Sequence, residues 1–262
     1  MAENSKEAKL RRKIARCAEK LGMNLFGVAD AERWKQYGET EQAFFPPVIW
    51  PWCRTVIVMG VQIFLPMIET TPSAVYSELY NTTNRLLDES AYRIANLLNG
   101  LGFRAFFFPR DGYGDISALV EKPEAAFSQV LAGRYAGLGT IGFNHTLLTP
   151  EYGPRVRLVS VISDVNIEPD EVMKKDLCLR CGVCGKSCPM GAFSAGEAGS
   201  RAAADMDKRK CALYHQRLKN EFRYPCGVCV KVCPVGKDRK IYGRSSVTEE
   251  GIAHCRSFGS KI

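Results

Sequence analysis

Two short cysteine-rich runs in the last third of the chain constrain its fold more than any other feature. The first, CLRCGVCGKSCPMGA, covers residues 178–192, and the second, CGVCVKVCPVG, covers residues 226–236. Within each run two or three other residues separate neighbouring cysteines, and the last cysteine is followed by proline. Such spacing brings several thiols together on one loop, so we predict that metal rather than a hydrophobic core organises this part of the chain.

The surrounding sequence favours metal ligation over disulfides. The chain has 11 cysteines, but its first residues, MAENSKEAKLRRKIARCAEKLG, contain no apolar core segment and no cleavage site of a secretory signal. No apolar run is long enough to span a bilayer. We therefore expect a cytoplasmic protein without a membrane partner, in surroundings that keep thiols reduced and available to metal.

The spacing of the first run, C-x2-C-x2-C-x3-C-P, matches that of bacterial ferredoxins, in which the fourth cysteine ligates the other cluster. The second run lacks an upstream cysteine, and Cys211, alone between the runs, supplies the missing thiolate. We predict two [4Fe-4S] clusters, the first held by Cys178, Cys181, Cys184 and Cys233, the second by Cys188, Cys211, Cys226 and Cys229. Structural zinc is the alternative, but cysteine groups of four, one and three fit two cubanes better. The remaining cysteines have no ligand spacing and are expected to be non-functional: Cys17, Cys53 and Cys255.

The formal charge of +8 has several interpretations. Two clusters of about −2 each would cancel about half of it. Basic residues surround the cluster ligands in sequence: Lys208, Arg209, Lys210, Arg217, Lys219, Arg223 and those from Lys237 to Lys240. They could dock an acidic electron donor such as ferredoxin or flavodoxin, or contact tRNA phosphates, and a merely solvated basic surface is the simplest alternative.

The front of the chain alternates helical and strand patterns. Helices are predicted over 5–22, 74–99 and 124–136, and strands over 24–29, 55–61, 103–108 and 156–162. FFPPVIWPWC cannot be a regular helix. The broad apolar face of the longest helix is assigned to Leu79, Leu86, Leu87, Tyr92, Ile94, Leu97 and Leu98. We predict an α+β sandwich over 1–168, a ferredoxin-like double-cluster domain over 169–243 and a tail over 244–262.

Several stretches carry a family resemblance. AGLGTIGFNHTLLTPEYGPRVRL (136–158), followed by the double-cluster motif, resembles the corrinoid-dependent epoxyqueuosine reductases and respiratory reductive dehalogenases. AEKLGMNLFGVADAERW and CRTVIVMGV are similar to the start of epoxyqueuosine reductases. The resemblance implies a nitroreductase-like front domain that binds cobalamin, to which the clusters pass electrons one at a time.

The resemblance also implies site residues. Cobalamin contacts are expected from Arg54, Asn144, Leu147, Thr149, Pro150, Arg157, Leu158 and Val161. Of Arg155 and Arg157, one could reach the corrin while the other forms a salt bridge, and His145 is more simply a structural residue than a cobalt ligand. The aspartate proton donor of epoxyqueuosine reductases has no clear counterpart, so the candidates are Glu124, Asp115 and Tyr113.

Three functions follow from these features. The first is a corrinoid-dependent iron–sulfur reductase of a small organic substrate, acting by epoxide reduction, dehalogenation or a related reaction. The second is a ferredoxin-like electron carrier without corrinoid. The third is a tRNA-acting reductase of the epoxyqueuosine type, although the sequence lacks the C-terminal helical-repeat region with which those enzymes grip tRNA.

Overall fold

Four antiparallel strands form the main sheet of the protein. The computed structural model describes residues 6–38, 41–194 and 204–241. The sheet strands are β1 (Leu25–Asp30), β2 (Thr55–Gln62), β3 (Ala105–Phe108) and β6 (Val156–Ser163), in the spatial order β1-β2-β6-β3. Two hairpins complete the strands, with β4 (Thr140–Ile141) paired to β5 (Leu147–Leu148) and β7 (Phe193–Ser194) paired to β8 (Asp205–Met206).

Helices cover the sheet and carry the cysteine runs. In the front part they are α1 (Lys6–Lys20), α2 (Arg33–Tyr37), α3 (Pro46–Ile49), α4 (Leu65–Glu69), α5 (Ala74–Gly100), α6 (Ile116–Glu121) and α7 (Gln129–Tyr135). In the cysteine-rich part they are α8 (Val183–Lys186), α9 (Lys208–Asn220), α10 (Val228–Lys231) and α11 (Asp238–Ile241). In the described part of the chain, no helix combines the length and the apolar character that a membrane crossing requires.

The sheet is buried on both faces. On one face Ile57 and Met59 pack against α1 and α5, and on the other Val56 and Val58 pack against α2 and α7. All of β2 except its last residue is buried, which confirms the strand predicted from the β-branched run at residues 55–61. The other predicted front strands and the first two helices are present within one or two residues of their expected bounds.

Some predicted elements were wrong. The third helix starts at Gln129 instead of residue 124, and a separate helix, α6, begins earlier because Asp115 caps it by accepting from the backbone N–H of Ser117. The stretch FFPPVIWPWC does contain one helical turn, α3, with proline in its first turn, where the missing N–H costs nothing. No helix was predicted in the cysteine-rich part, but α9 is a helix of 13 residues whose N-terminus is capped by Asp207.

The apolar face of α5 also differs from the one predicted. Leu87, Ile94 and Leu98 are buried, but Leu79, Leu86 and Tyr92 are exposed. The buried stripe continues towards the N-terminus of the helix through polar side chains, at Tyr76, Tyr80 and Asn84. The spacing of four, four and three residues keeps this polar half on the same face as the core.

The TPEYG turn joins the front of the chain to the cysteine-rich part. The backbone at Gly153, in the left-handed region at φ 54°, approaches the carbonyl of Val235 so closely that a Cβ there would overlap it. Next to this contact the fully buried Arg155 binds Asp238 through two N–O contacts of 2.6 and 2.7 Å. Both arginines of the predicted pair form ion pairs, Arg155 with Asp238 and Arg157 with Asp111 (2.9 Å).

The predicted domain boundaries stay predictions. Just beyond the expected boundary at residue 168, Asp170 still binds the front sheet, because its carboxylate accepts from the backbone N–H of Val28 (2.8 Å). The predicted tail, 244–262, and Cys255 within it lie outside the described residues. Of the other two cysteines without ligand spacing, Cys17 packs against the core and Cys53 is buried.

Candidate iron–sulfur site and adjoining cavity

Four cysteines, three from the first run and one from the second, line one small cavity. They are those predicted for the first cluster: Cys178, Cys181, Cys184 and Cys233. Burial raises the pKa of Cys184 to about 11, and the charge of Cys233 contributes to that rise. Burial also raises the pKa of Cys233, and a positive metal would stabilise these two thiols as thiolates, so this arrangement suits a cluster ligand set.

The second predicted ligand set lines a larger cavity. Cys188, Cys211, Cys226 and Cys229 all lie on its wall. Burial raises the pKa of Cys211 to about 11, with the charge of Cys188 as the second cause, and it raises the pKa of Cys229 further. Within the described ranges no three Cys, His, Asp or Glu side chains converge as one metal ion requires.

The two CGVC sequences take the same local conformation. Gly182 (φ 69°, ψ 0°) and Gly227 (φ 64°, ψ 1°) are both left-handed, and each starts a one-turn helix that carries the next cysteine. These helices, α8 and α10, contact one another. A side chain at either glycine would strain this left-handed backbone, which explains why CGVC occurs in both runs.

A loop from the front of the chain lies between the two ligand sets. It is the β4–β5 loop, residues 142–146, and its Asn144 lines both cavities. The backbone N–H of Phe143 donates to Cys178 Sγ (3.4 Å), and Asn144 Nδ2 donates to the Cys229 carbonyl (3.3 Å). Hydrogen bonds to ligand sulfurs tune cluster potentials, so the front of the chain contributes to the environment of both sites.

The larger cavity has a volume of about 370 Å³, within the usual range of small-molecule sites. One wall is the second ligand set with His215 from α9, and the opposite wall comes from α5, α7 and β6. Burial lowers the pKa of His215 to about 4, so its ring is neutral at pH 7. Arg110 and Arg157 are the cationic side chains on the opposite wall.

The structure brings four of the predicted corrinoid contacts to this cavity and leaves four away from it. Asn144, Leu147, Arg157 and Leu158 line it. His145 lines it too, but its Nε2 donates to the Ala204 carbonyl (2.5 Å), the structural role expected for it.

The other four predicted contacts lie elsewhere for different reasons. Arg54 precedes Thr55, which pairs with Ser163 at the end of the sheet away from the cavity. Val161 faces the core between the sheet and α5. Thr149 and Pro150 form the TPEYG turn, in which Thr149 Oγ1 accepts from the N–H of Tyr152 and the Pro150 carbonyl accepts from the N–H of Lys237.

None of the three predicted proton donors is among the residues that line the cavity. Asp115 pairs with Lys219, and that hydrogen bond lowers the pKa of Asp115 well below its usual value, so the carboxyl has no proton to give at pH 7. Glu124 is partly exposed and pairs with Lys122 (3.2 Å). Tyr113 lies close behind the wall, with its hydroxyl 2.9 Å from that of Tyr224.

The sequence reasoning missed the phenols of α5. Tyr76 and Tyr80 line the cavity, and the ring of Tyr80 packs edge-on against that of Tyr224 (5.8 Å between centroids), whose hydroxyl contacts Tyr113. The guanidinium of Arg157 lies 4.3 Å from the centre of the Tyr80 ring. Burial raises the pKa of Tyr80 and Tyr224 above the usual value, so both keep their protons. The signal was present in the sequence as a polar extension of a helical stripe.

Comparison with known proteins agrees with this arrangement. The 4Fe-4S dicluster domain family matches residues 177–237, a range that contains all eight predicted ligands. The tetrachloroethene reductive dehalogenase of Desulfitobacterium hafniense is 30% identical over 177 residues, which is 66% of this chain and 28% of that protein. The epoxyqueuosine reductase of Listeria monocytogenes is 42% identical over 66 residues, 25% of this chain and 17% of that protein. The chain is homologous to both families.

The homology extends to the fold. A reductive dehalogenase whose structure suggests a mechanism for B12-dependent dehalogenation superposes with a TM-score of 0.61 at 20% identity, covering 94% of this chain and 36% of that one. The likeness therefore includes the sheet as well as the ferredoxin-like 4Fe-4S domain. The chain spans less than a third of the length of the dehalogenase that it matches in sequence.

The residues that line the larger cavity have the chemical character that a corrinoid site requires. Asn144 and Arg157 carry polar groups of the type that binds amides or phosphates, although Asn144 also donates to Cys229 and Arg157 to Asn84 and Asp111, while Leu147, Val156 and Leu158 supply apolar contact. The second ligand set forms part of the same wall, so a ligand held there lies beside the second cluster. A cluster would fill part of the 370 Å³, so an organic cofactor has to extend towards the cavity mouth.

Proposed function

We propose that this chain is an oxidoreductase in which two [4Fe-4S] clusters deliver electrons to a corrinoid in the larger cavity, for reduction of a small organic substrate. One observation carries the proposal: the second ligand set and the polar half of α5 form opposite walls of one cavity. The homology to reductive dehalogenases and epoxyqueuosine reductases supports it. When bound, the corrinoid would supply a strongly reducing cobalt centre.

The protein's own residues would hold the cofactor and provide a proton. We assign Asn144, Leu147, Arg157 and Leu158 to cofactor contact, because these predicted residues line the cavity. We assign proton donation to Tyr80. Its buried phenol stays protonated and lies on the cavity wall, and the ring of Tyr224, whose hydroxyl is bonded to that of Tyr113, packs against it.

Reconstitution tests the proposal. The full chain is loaded anaerobically with iron and sulfide and then titrated with cobalamin, with the iron content and the visible and electron paramagnetic resonance spectra measured. We expect about eight irons per chain and a saturable change in the cobalt spectrum. Far fewer irons would refute the cluster assignment. Eight irons with no cobalamin response would instead favour the electron carrier, which needs the clusters alone.

Substitution tests the residue roles once cobalamin binding is measured. Arg157→Met should weaken cobalamin binding, because it removes one of the two cationic side chains on the wall. Tyr80→Phe should leave binding and iron content unchanged while slowing turnover about 100-fold or more. Tyr92→Phe, at an exposed position on the same helix, is the matched control. Equal turnover in Tyr80→Phe and the control would contradict the assignment of the proton donor.

A further inference from the structure

The first ligand set reaches the surface of the protein. Among the eight predicted ligands Cys181 is the exposed one, whereas Cys184 and Cys226 are buried. Its neighbour Leu179 leaves 68% of its surface in solvent, although it also lines the first cavity. The second ligand set lies deeper, against the larger cavity. An electron carrier in solution can therefore approach the first ligand set at Cys181.

The basic residues that the sequence offered for docking are mostly engaged within the protein. Lys219 pairs with Asp115, and Arg217 and Arg223 both pair with Glu221. Lys210 pairs with Asp207 (3.7 Å), Lys237 pairs with Glu151 (3.4 Å), and Arg239 is buried. These charges are largely neutralised locally, so they offer little attraction to a partner.

Other cations flank Cys181 in sequence. Lys174, Lys175 and Lys186 are exposed, and they form no ion pair with any residue that the structure describes. The nearest acid is Asp176, which is held by Arg180 (3.0 Å) and also accepts from the backbone N–H of Cys178 (2.9 Å). The segment around the exposed ligand thus keeps a net positive charge.

We propose that Lys174, Lys175, Leu179, Cys181 and Lys186, here called the entry surface, dock an acidic protein that carries one electron. The inference rests on the proposed function, because it requires a cluster at the first ligand set. In the step, the reduced carrier loses one electron and the [4Fe-4S]²⁺ cluster gains it, becoming [4Fe-4S]⁺. No bond is formed or broken, and no proton moves.

The entry surface combines the two features that such a partner needs. Lysines that form no ion pair with a described residue steer an acidic protein and accelerate encounter, most strongly at low salt. The exposed Leu179 adds an apolar contact two residues from the ligand Cys181. A nucleic acid would use the same lysines but would gain less from an exposed aliphatic side chain.

Charge reversal tests the entry surface. The cluster-loaded full chain is compared with Lys174→Glu/Lys175→Glu and with a control of equal charge change, Arg12→Glu/Lys13→Glu, on an exposed face of α1. The probe is a purified acidic two-[4Fe-4S] ferredoxin. Binding of the oxidised ferredoxin is measured by calorimetry, and reduction of the clusters by reduced ferredoxin is followed by stopped flow.

We expect binding and the second-order rate to fall at least about 10-fold in the entry-surface variant at low salt, and not in the control. The difference should vanish near 1 M salt, where screening acts within about 3 Å. Dithionite, which needs no docking, should reduce all three proteins alike.

Equal rates in both variants, with clusters intact and reduced by dithionite, would overturn the entry surface and leave the proposed function standing. Loss of iron in the unmodified chain would instead count against the proposed function. A third outcome also overturns the inference: the variant loses affinity for tRNA, while transfer from ferredoxin stays unchanged. The lysines would then form a nucleic-acid surface.

Discussion

The buried ion pair between Arg155 and Asp238 should determine how firmly the cysteine-rich part is attached to the sheet. Both side chains are fully buried, and the guanidinium also donates to the carbonyls of Cys233 (3.1 Å) and Val235 (2.5 Å). Asp238→Asn keeps the shape but removes the charge, leaving Arg155 buried without a counter-ion. Solvent cannot screen the uncompensated charge, but Arg155 keeps its two carbonyl hydrogen bonds, so the loss should lie near the lower end of one-sided removals of buried pairs, about 3 kcal/mol.

The assay is thermal unfolding of the cluster-loaded protein under anaerobic conditions. For a chain of this size a loss of about 3 kcal/mol corresponds to a fall in Tm of roughly 6–12 °C. The matched control is Glu89→Gln, which breaks an exposed pair with Arg93 on α5 and should cost about 0.5 kcal/mol or less. A fall in Tm for Asp238→Asn no larger than that of the control would refute the reasoning.

Three further predictions concern the ligands, the pH dependence and a close backbone contact. Cys181→Ala should lower the iron content from about eight to about four per chain, whereas Cys17→Ala, in the core, should leave it unchanged; iron analysis after anaerobic purification decides this. Burial lowers the pKa of His215 from 6.5 to about 4, so the unfolded chain binds the proton first and stability falls as the pH drops through this window. Urea unfolding should show a loss of about 2 kcal/mol between pH 7 and pH 5 that His215→Gln removes. Gly139→Ala should unfold the β4–β5 hairpin, because its Cβ would overlap the backbone of β5, while Gly100→Ala meets no atom within 4 Å and should be tolerated; circular dichroism and thermal melts distinguish the two.

The elements of the front part could be predicted where the pattern is local. β2 is buried on both faces and its β-branched run indicates this directly. The sequence also predicts the length of α5, but not which face of the helix is buried. Its leucines outnumber the polar residues that are in fact buried, so hydrophobicity alone points to the wrong face. Tyr76 and Tyr80 were missed for this reason: their side chains face inwards to a cavity, and periodicity weighted by hydrophobicity cannot detect a polar wall.

Contacts between distant segments could not be predicted from the sequence. The resemblance placed TPEYGPRVRL near a cofactor, and Arg157 and Leu158 do line the cavity. The first half of the segment instead forms the turn that meets Val235, about 80 positions further along the chain. A tight turn with glycine and a buried arginine has the same sequence pattern whether it contacts a cofactor or another segment of the chain. Only the identity of the contacting segment distinguishes the two cases. The α9 helix was missed because only Ala212 and Leu218 in it are buried.

The walls of the larger cavity come from two parts of the chain that are held together by different forces. The sheet side, with α5 and β6, is supported by a hydrophobic core. The opposite side consists of loops and short helices whose buried thiols resist ionisation, as the raised pKa of Cys211 and Cys229 indicates. Iron supplies the positive charge that makes those thiolates stable, so cluster insertion should fix this wall. A ligand of the cavity needs both walls in place, and it follows that the second cluster must be assembled before the organic ligand can bind tightly.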